Sequence, residues 1–260
     1  NVKILLDKEA KTLTFKDNGI GMTQEEIKKY INQIAFSGAE EFLNEYKDKG
    51  EQDQIIGHFG LGFYSAFMVS NLVEIHTLSY KEGARPVKWS CDGGTEFEIE
   101  DGTRKSRGTD IILHIGEDSK DYLDEFTVRT TIEKYCSFMP YPIYFEDLGK
   151  EPEKDEDGNI IIAEPQALNE VQPLYLKHPN DCTEEEYKAF YRDTFKDFKD
   201  PLFWIHLNMD YPFNLKGILY FPKLSTEFDT MEGQIKLYNS QVFVADNIKE
   251  VIPEFLLLLN

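Results

Sequence analysis

The sequence has 260 residues, 41% of them apolar, and a formal net charge of −20. That length allows one large domain or two ordinary ones around a sizeable core. The acidity repels nucleic acid and anionic membrane surfaces on average, so neither is expected as a partner, and no apolar run approaches bilayer-spanning length. The chain begins at Asn1 in a strand-like pattern and stops in Phe255-Leu-Leu-Leu-Leu-Asn260, so both ends read as cuts within a longer protein.

Val2, Ile4 and Leu6 alternate, as do Leu13 and Phe15 after a polar turn, which predicts a β-hairpin. Its second strand runs into Asp17-Asn-Gly-Ile-Gly-Met-Thr23. Thr23 with Glu26 forms a capping box, and Ile27, Tyr30, Ile31, Ile34 and Ala35 mark the apolar face of a helix. Asp17 therefore sits at a strand end, before two glycines and a helix. Such an acid is either a turn former or a carboxylate placed to accept a hydrogen bond from an exocyclic amine. In the second reading Gly19 and Gly21 clear space for a flat ring and Met22 lies against it.

Residues 36–56 are polar and mixed, and suit a mobile lid or a plain surface helix and loop. Next comes Asp53-Gln-Ile-Ile-Gly-His-Phe-Gly-Leu-Gly-Phe63, with Gly57, Gly60 and Gly62 inside six residues, followed by the helical apolar run Phe63, Ala66, Phe67, Met68 and Val69. A glycine turn opening a helix presents unpaired N–H groups beside the positive end of the helix dipole, which suits a phosphate; an ordinary tight turn is the alternative. Strand-like runs over 72–78, 86–91, 95–99 and 109–115 then predict an antiparallel meander, with Gly108-Thr109 at the start of the last. Residues 122–139 read as helix and 140–145 as strand.

Glu146 to Glu170 holds nine acids and two lysines, and is expected to be a linker or exposed loop with a short strand at 160–162. The expected division is therefore 1–145, a linker over 146–170, and 171–260. In the last part Thr183 and Glu186 form a second capping box, opening an amphipathic helix with Tyr187, Phe190, Tyr191, Phe195 and Phe198. Strands are expected over 202–207, 215–221 and 235–245. The five histidines are scattered without metal-ligand spacing, and the three cysteines form no Cys-x-x-Cys pair, which fits a reducing cytoplasm.

The order of Asp17-x-Gly-x-Gly21, the Gly57 to Gly62 loop and Gly108-Thr109 resembles the ATP-binding fold shared by the 90-kilodalton heat-shock chaperones, type II topoisomerases, MutL repair proteins and sensor histidine kinases. Ile56 to Val69, Asp17 to Thr23 and Ala35-Phe-Ser-Gly38 are similar to the bacterial branch of the chaperone family. So are Pro173-Leu-Tyr, Glu185 to Tyr191, Asp200-Pro-Leu, Lys236-Leu-Tyr, Gln241-Val-Phe-Val and Ile252-Pro-Glu-Phe in the second half. A histidine kinase would need an upstream dimerisation helix and would lack this second half. A DNA-dependent ATPase would be expected to show a basic surface.

The resemblance implies an α+β chain. A two-layer α/β sandwich that binds ATP (the GHKL or Bergerat type) would precede part of an α+β middle domain. It implies that Asp17 contacts adenine, that Gly21 and Met22 line the base pocket, and that Thr109 lies under the base. It implies phosphate contacts from Gly57, His58, Phe59, Gly60, Leu61, Gly62 and Phe63, and a lid carrying Ser37 and Gly38. The implied activity is that of an ATP-dependent chaperone, a homodimer using ATP and Mg²⁺ on unfolded clients in the cytoplasm. The family's general-base glutamate and Mg²⁺-binding asparagine lie on a helix ahead of the adenine aspartate, where this sequence has sixteen residues, and its γ-phosphate arginine is expected beyond Asn260. Little turnover is therefore expected of these residues alone, and a nucleotide- or client-binding module is the alternative. Phe36, His58, Tyr175 and Ser240-Gln241 stand where many relatives carry lysine, glutamine, tryptophan and an arginine pair, which implies a divergent branch.

Overall fold

The computed structural model describes residues 1–32, 61–151, 165–209, 215–223 and 235–246. They fall into two compact units, Asn1–Asn169 with Ser240–Val242, and Glu170–Asn239 with Phe243–Asn260.

The first unit is built on a seven-stranded sheet. Its strands are β1 (Val2–Asp7), β2 (Thr12–Asp17), β3 (Ser70–Leu78), β4 (Val87–Cys91), β5 (Glu98–Asp101), β6 (Gly108–Ile115) and β7 (Ile143–Asp147). The order across the sheet is β5-β4-β3-β6-β2-β1-β7. The β1–β7 pair is parallel and the other pairs are antiparallel. The expected meander holds for β3 to β5, but β6 returns past both and lies between β3 and β2. The strand expected over 95–99 is instead Glu98–Asp101, where Trp89 pairs with Ile99.

Alternation decides which side of the sheet is buried. Ile4, Leu6, Leu13, Val73, Ile75, Trp89, Leu113 and Ile115 are all buried. Against them pack α1 (Gln24–Tyr30) through Ile27 and α2 (Glu125–Cys136) through Val128 and Ile132. The Thr23–Glu26 capping box forms as expected, and Asp124 caps α2 by accepting from Thr127 N–H at 2.9 Å. The acidic segment expected as a linker begins inside β7, where Glu146 and Asp147 pair with Leu5 and Leu6. At its end Leu168 N–H donates to Ile143 O at 2.8 Å, and Asn169 Nδ2 donates to Met139 O at 2.8 Å. The strand expected at 160–162 lies outside the described residues.

The second unit contains α3 (Glu184–Phe195) and the antiparallel pair of β8 (Phe203–Met209) and β9 (Leu215–Phe221). Tyr187 and Tyr191 are buried; Tyr187 stacks on Trp204 with centroids 4.9 Å apart, and Tyr191 meets Tyr220 at 5.0 Å. Phe198, expected on the helix face, is 95% exposed. The helix stops before it, with Lys196 left-handed at the cap and Tyr191 donating to Asp197 at 2.9 Å. The run 235–245, expected as one strand, is a hairpin of β10 (Lys236–Asn239) and β11 (Val242–Asp246). Ser240 and Gln241 both take positive φ at the turn, as a two-residue hairpin loop requires.

The second capping box gives a pH-dependent prediction. Hydrogen bonds from Lys177 and then from the Thr183 N–H hold the Glu186 carboxyl down at about 2. A depressed carboxyl adds stability above its unfolded pKa, and that stability is lost as pH falls through the folded pKa. The first turn of α3 is therefore expected to loosen between pH 4.5 and about 2. NMR titration of Glu186 should show this, and Lys177→Met should move the midpoint upward. A midpoint near 4.5 in the parent chain would count against the Lys177 bond.

Candidate functional site

The inward face of the sheet ends in a polar rung. Phe15, Ile111, Ile75 and Trp89 are cross-strand neighbours on β2, β6, β3 and β4. Two residues along, on the same face, stand Asp17, Thr109 and Thr77. Thr77 is fully buried and Thr109 nearly so. A hydroxyl pair at the edge of an apolar core needs partners, because an unpaired buried hydroxyl costs about 1–3 kcal/mol. Thr77 Oγ1 donates to Gly108 O at 3.1 Å and accepts from Met22 N–H at 2.9 Å. It lies 3.1 Å from Thr109 Oγ1. With the Thr77 proton on Gly108, the Thr109 hydroxyl donates to Thr77 and keeps its own lone pairs as acceptor capacity.

Asp17 is fixed from one side. Its Oδ1 accepts from Gly19 N–H at 2.7 Å and from Thr109 N–H at 3.3 Å. Its Oδ2 takes no hydrogen bond among the described residues. The turn after it is laid onto the end of β3. Tyr80 N–H donates to Ile20 O at 2.7 Å, and a Cβ on Gly21 would lie 1.9 Å from Leu78 O. Gly21 has φ +64°, so glycine is required there on two counts. Met22 is half-buried against the core. At the foot of this turn burial works against the charge on Glu26, but Lys81 at 2.8 Å and Thr23 N–H at 2.7 Å outweigh it and hold the carboxyl below its usual range. The turn therefore enters α1 with its cap charged.

Asp17, Gly21, Met22 and Thr109 thus come together. Leu61, Gly62 and Phe63 form a second group. Gly62–Met68 is a 3₁₀ helix where an α-helix was expected. Ser65 Oγ donates to Gly62 O at 2.6 Å and competes for a carbonyl that an α-helical N–H would use. Leu61 is half exposed, and a Cβ on Gly62 would meet nothing within 4 Å. Phe63 turns its ring into the core, 5.8 Å from the Trp89 centroid, so only its backbone remains for a ligand. Tyr64 donates to Ile31 O at 2.6 Å and ties this group to the end of α1. Ser37, Gly38, Gly57, His58, Phe59 and Gly60 lie outside the described residues, as do residues 36–56 of the expected lid.

Thr77 was not singled out from the sequence. The signal was present: period 2 through Val73 and Ile75 puts Thr77 on the buried face. Two of the described histidines, His76 and His206, have hydrogen-bonded structural surroundings. His76 meets Glu74 at 3.0 Å, and His206 lies between Tyr187 at 2.7 Å and Tyr175 O at 3.3 Å. No group of three His, Cys, Asp or Glu side chains suited to a metal occurs among the described residues. Among the described residues the polar rung leaves acceptor capacity on Asp17 Oδ2 and on the Thr109 hydroxyl.

Residues 1–92 match the family described as "Histidine kinase-, DNA gyrase B-, and HSP90-like ATPase", and residues 146–260 match "Hsp90 protein". The chaperone protein HtpG of Bacteroides fragilis is 52% identical over 249 residues, 96% of this chain. The chain belongs to the Hsp90 family. Chaperone protein HtpG of Porphyromonas gingivalis is 48% identical over 259 residues, and that of Desulfitobacterium hafniense 36% over 260. The chain spans 36% of the length of the first of these relatives, 37% of the second and 39% of the third. The α+β sheet of the first unit is the ATPase-type fold of the Hsp90 family. No helix among the described residues is long and apolar enough to cross a membrane.

Proposed function

We propose that this chain is the nucleotide-binding part, with the start of the middle domain, of an ATP-dependent molecular chaperone. The observation that carries the reading is the polar rung of Asp17, Thr109 and Thr77 on an otherwise apolar sheet face, where Asp17 Oδ2 takes no hydrogen bond among the described residues. Asp17 takes the adenine amine, Thr109 lies under the base, and Gly21 and Met22 line its edge. Gly57, His58, Phe59, Gly60, Leu61, Gly62 and Phe63 supply N–H groups to the phosphates, and Ser37 and Gly38 belong to a lid that closes over them. Domains over 1–145 and 171–260, joined by the acidic segment, carry closure from the nucleotide to the clients. The intact protein is a cytoplasmic homodimer whose protomers clamp on unfolded polypeptide. Mg²⁺ accompanies the phosphates through a ligand outside the described residues.

Titration of the chain with ATP and ADP by calorimetry, beside Asp17→Asn, tests the base site. Binding by the parent and its loss in the variant support the reading; no binding by a folded parent refutes it. Phosphoryl transfer needs an aligned water, a base, a metal and charge stabilisation in one place. Residues 1–260 by themselves are expected to bind nucleotide yet hydrolyse it negligibly. Phosphate release at the rate of an intact chaperone would refute that expectation.

A further inference from the structure

The backbone carbonyl of Asp17 is held by an arginine from another loop. Arg104 lies between β5 and β6, and its side chain is only 8% exposed. Nε donates to Ser106 O at 2.9 Å, and Nη2 donates to Asp17 O at 2.8 Å and more weakly to Arg107 O at 3.4 Å. Nη1 donates to a carboxylate oxygen of Asp110 on β6. Removing a guanidinium from water costs several kcal/mol unless it is paired. Here four of its five N–H groups have partners.

The position of Arg104 gives these bonds their meaning. Asp17 pairs with Val2 of β1 on one side, but the β2–β6 ladder stops one residue earlier, at the Lys16–Asp110 pair, which leaves a gap on the β6 side. The Arg104 fork spans that gap, with one arm on Asp110 of β6 and the other on the carbonyl of Asp17. Gly108 makes room for it. At φ +120°, a Cβ there would lie 2.3 Å from Asp17 O and 2.7 Å from Arg104 Nη2.

We propose that Arg104 is the positioning residue of the base site, clamping the end of β2 so that the Asp17 carboxylate stays aimed at the exocyclic amine. This rests on the base-site reading above. Arg104 itself does not touch the ligand. A planar fork is needed, because one ammonium cannot hold Asp110, Ser106 O and Asp17 O together.

The test measures affinity for ADP and for inosine diphosphate, which has a carbonyl where adenine carries the amine. Their ratio reports where Asp17 points, and general destabilisation does not move it. Arg104→Met in the intact protein is expected to weaken ADP binding about tenfold and leave inosine diphosphate nearly unchanged. Arg104→Lys should behave like Arg104→Met. Asp110→Asn, a milder change that keeps the shape, should shift the ratio in the same direction, whereas Lys16→Met should leave it alone. Equal weakening of both nucleotides, or an unchanged ratio in both Arg104→Met and Asp110→Asn, would overturn the proposal. Failure of the parent to prefer ADP, or of Asp17→Asn to abolish that preference, would overturn the base-site reading and the clamp with it.

Discussion

Asp17→Asn is expected to weaken ADP binding about a hundredfold while leaving the fold intact. The two halves of that result have different causes. The amide oxygen of asparagine replaces Oδ1 and goes on accepting from Gly19 N–H and Thr109 N–H, so the turn keeps its shape. The amide nitrogen falls where Oδ2 now takes no hydrogen bond among the described residues, and an acceptor becomes a donor. An adenine amine then meets a donor, and a charge-assisted bond is lost. Hydrogen bonds to charged groups contribute about 1.5–3 kcal/mol, and the donor–donor conflict brings the total to roughly 3 kcal/mol. The same change should strengthen inosine diphosphate relative to ADP, because its carbonyl can accept from the new amide. Calorimetry with both nucleotides and a thermal melt of each variant check all three outcomes. A variant that melts with the parent and binds ADP equally well would remove Asp17 from the site.

How much of this was legible in the sequence depends on how local each signal is. Thr23–Glu26 and Thr183–Glu186 are complete within four residues, and both capping boxes form. Asp17 could be placed at a strand end because the alternation of Leu13 and Phe15 runs directly into it. Thr77 was legible in part: its register is local, but its hydroxyl matters only because β6 lies beside β3 and brings Thr109 to 3.1 Å. Arg104 was not legible. In Gly102-Thr-Arg-Lys-Ser-Arg-Gly108 nothing separates it from Lys105 or Arg107 until the loop folds back on the end of β2.

Errors in the element boundaries have the same origin. Serines that bond back to Gly62 O and Ala66 O accompany 3₁₀ geometry where apolar spacing alone reads as α-helix. A hairpin turn at Ser240-Gln241 has neither glycine nor asparagine to announce it, and both residues accept positive φ because the strands on either side pair.

Gly21→Ala is the substitution expected to cost most stability. Two separate penalties meet there. At φ +64° any L side chain carries a backbone cost of about 1 kcal/mol. The added Cβ would also lie 1.9 Å from Leu78 O, a backbone atom of a central strand that cannot swing aside like a side chain tip. Relief requires lifting the turn off β3, which lengthens the Tyr80 N–H to Ile20 O bond, now 2.7 Å, and the Met22 N–H to Thr77 bond, now 2.9 Å. Together these come to about 3 kcal/mol or more, a fall in melting temperature of roughly 6–12 °C. Gly83→Ala separates the two penalties. Gly83 has φ +76°, but a Cβ added there would meet nothing within 4 Å, so it carries the backbone cost alone, about 1 kcal/mol. Equal destabilisation by the two substitutions would mean that the close approach at Leu78 is not a constraint. A much larger loss at Gly21, with ADP affinity falling as Met22 and Thr77 separate, would show that one crowded glycine contact supports both the sheet and the base site.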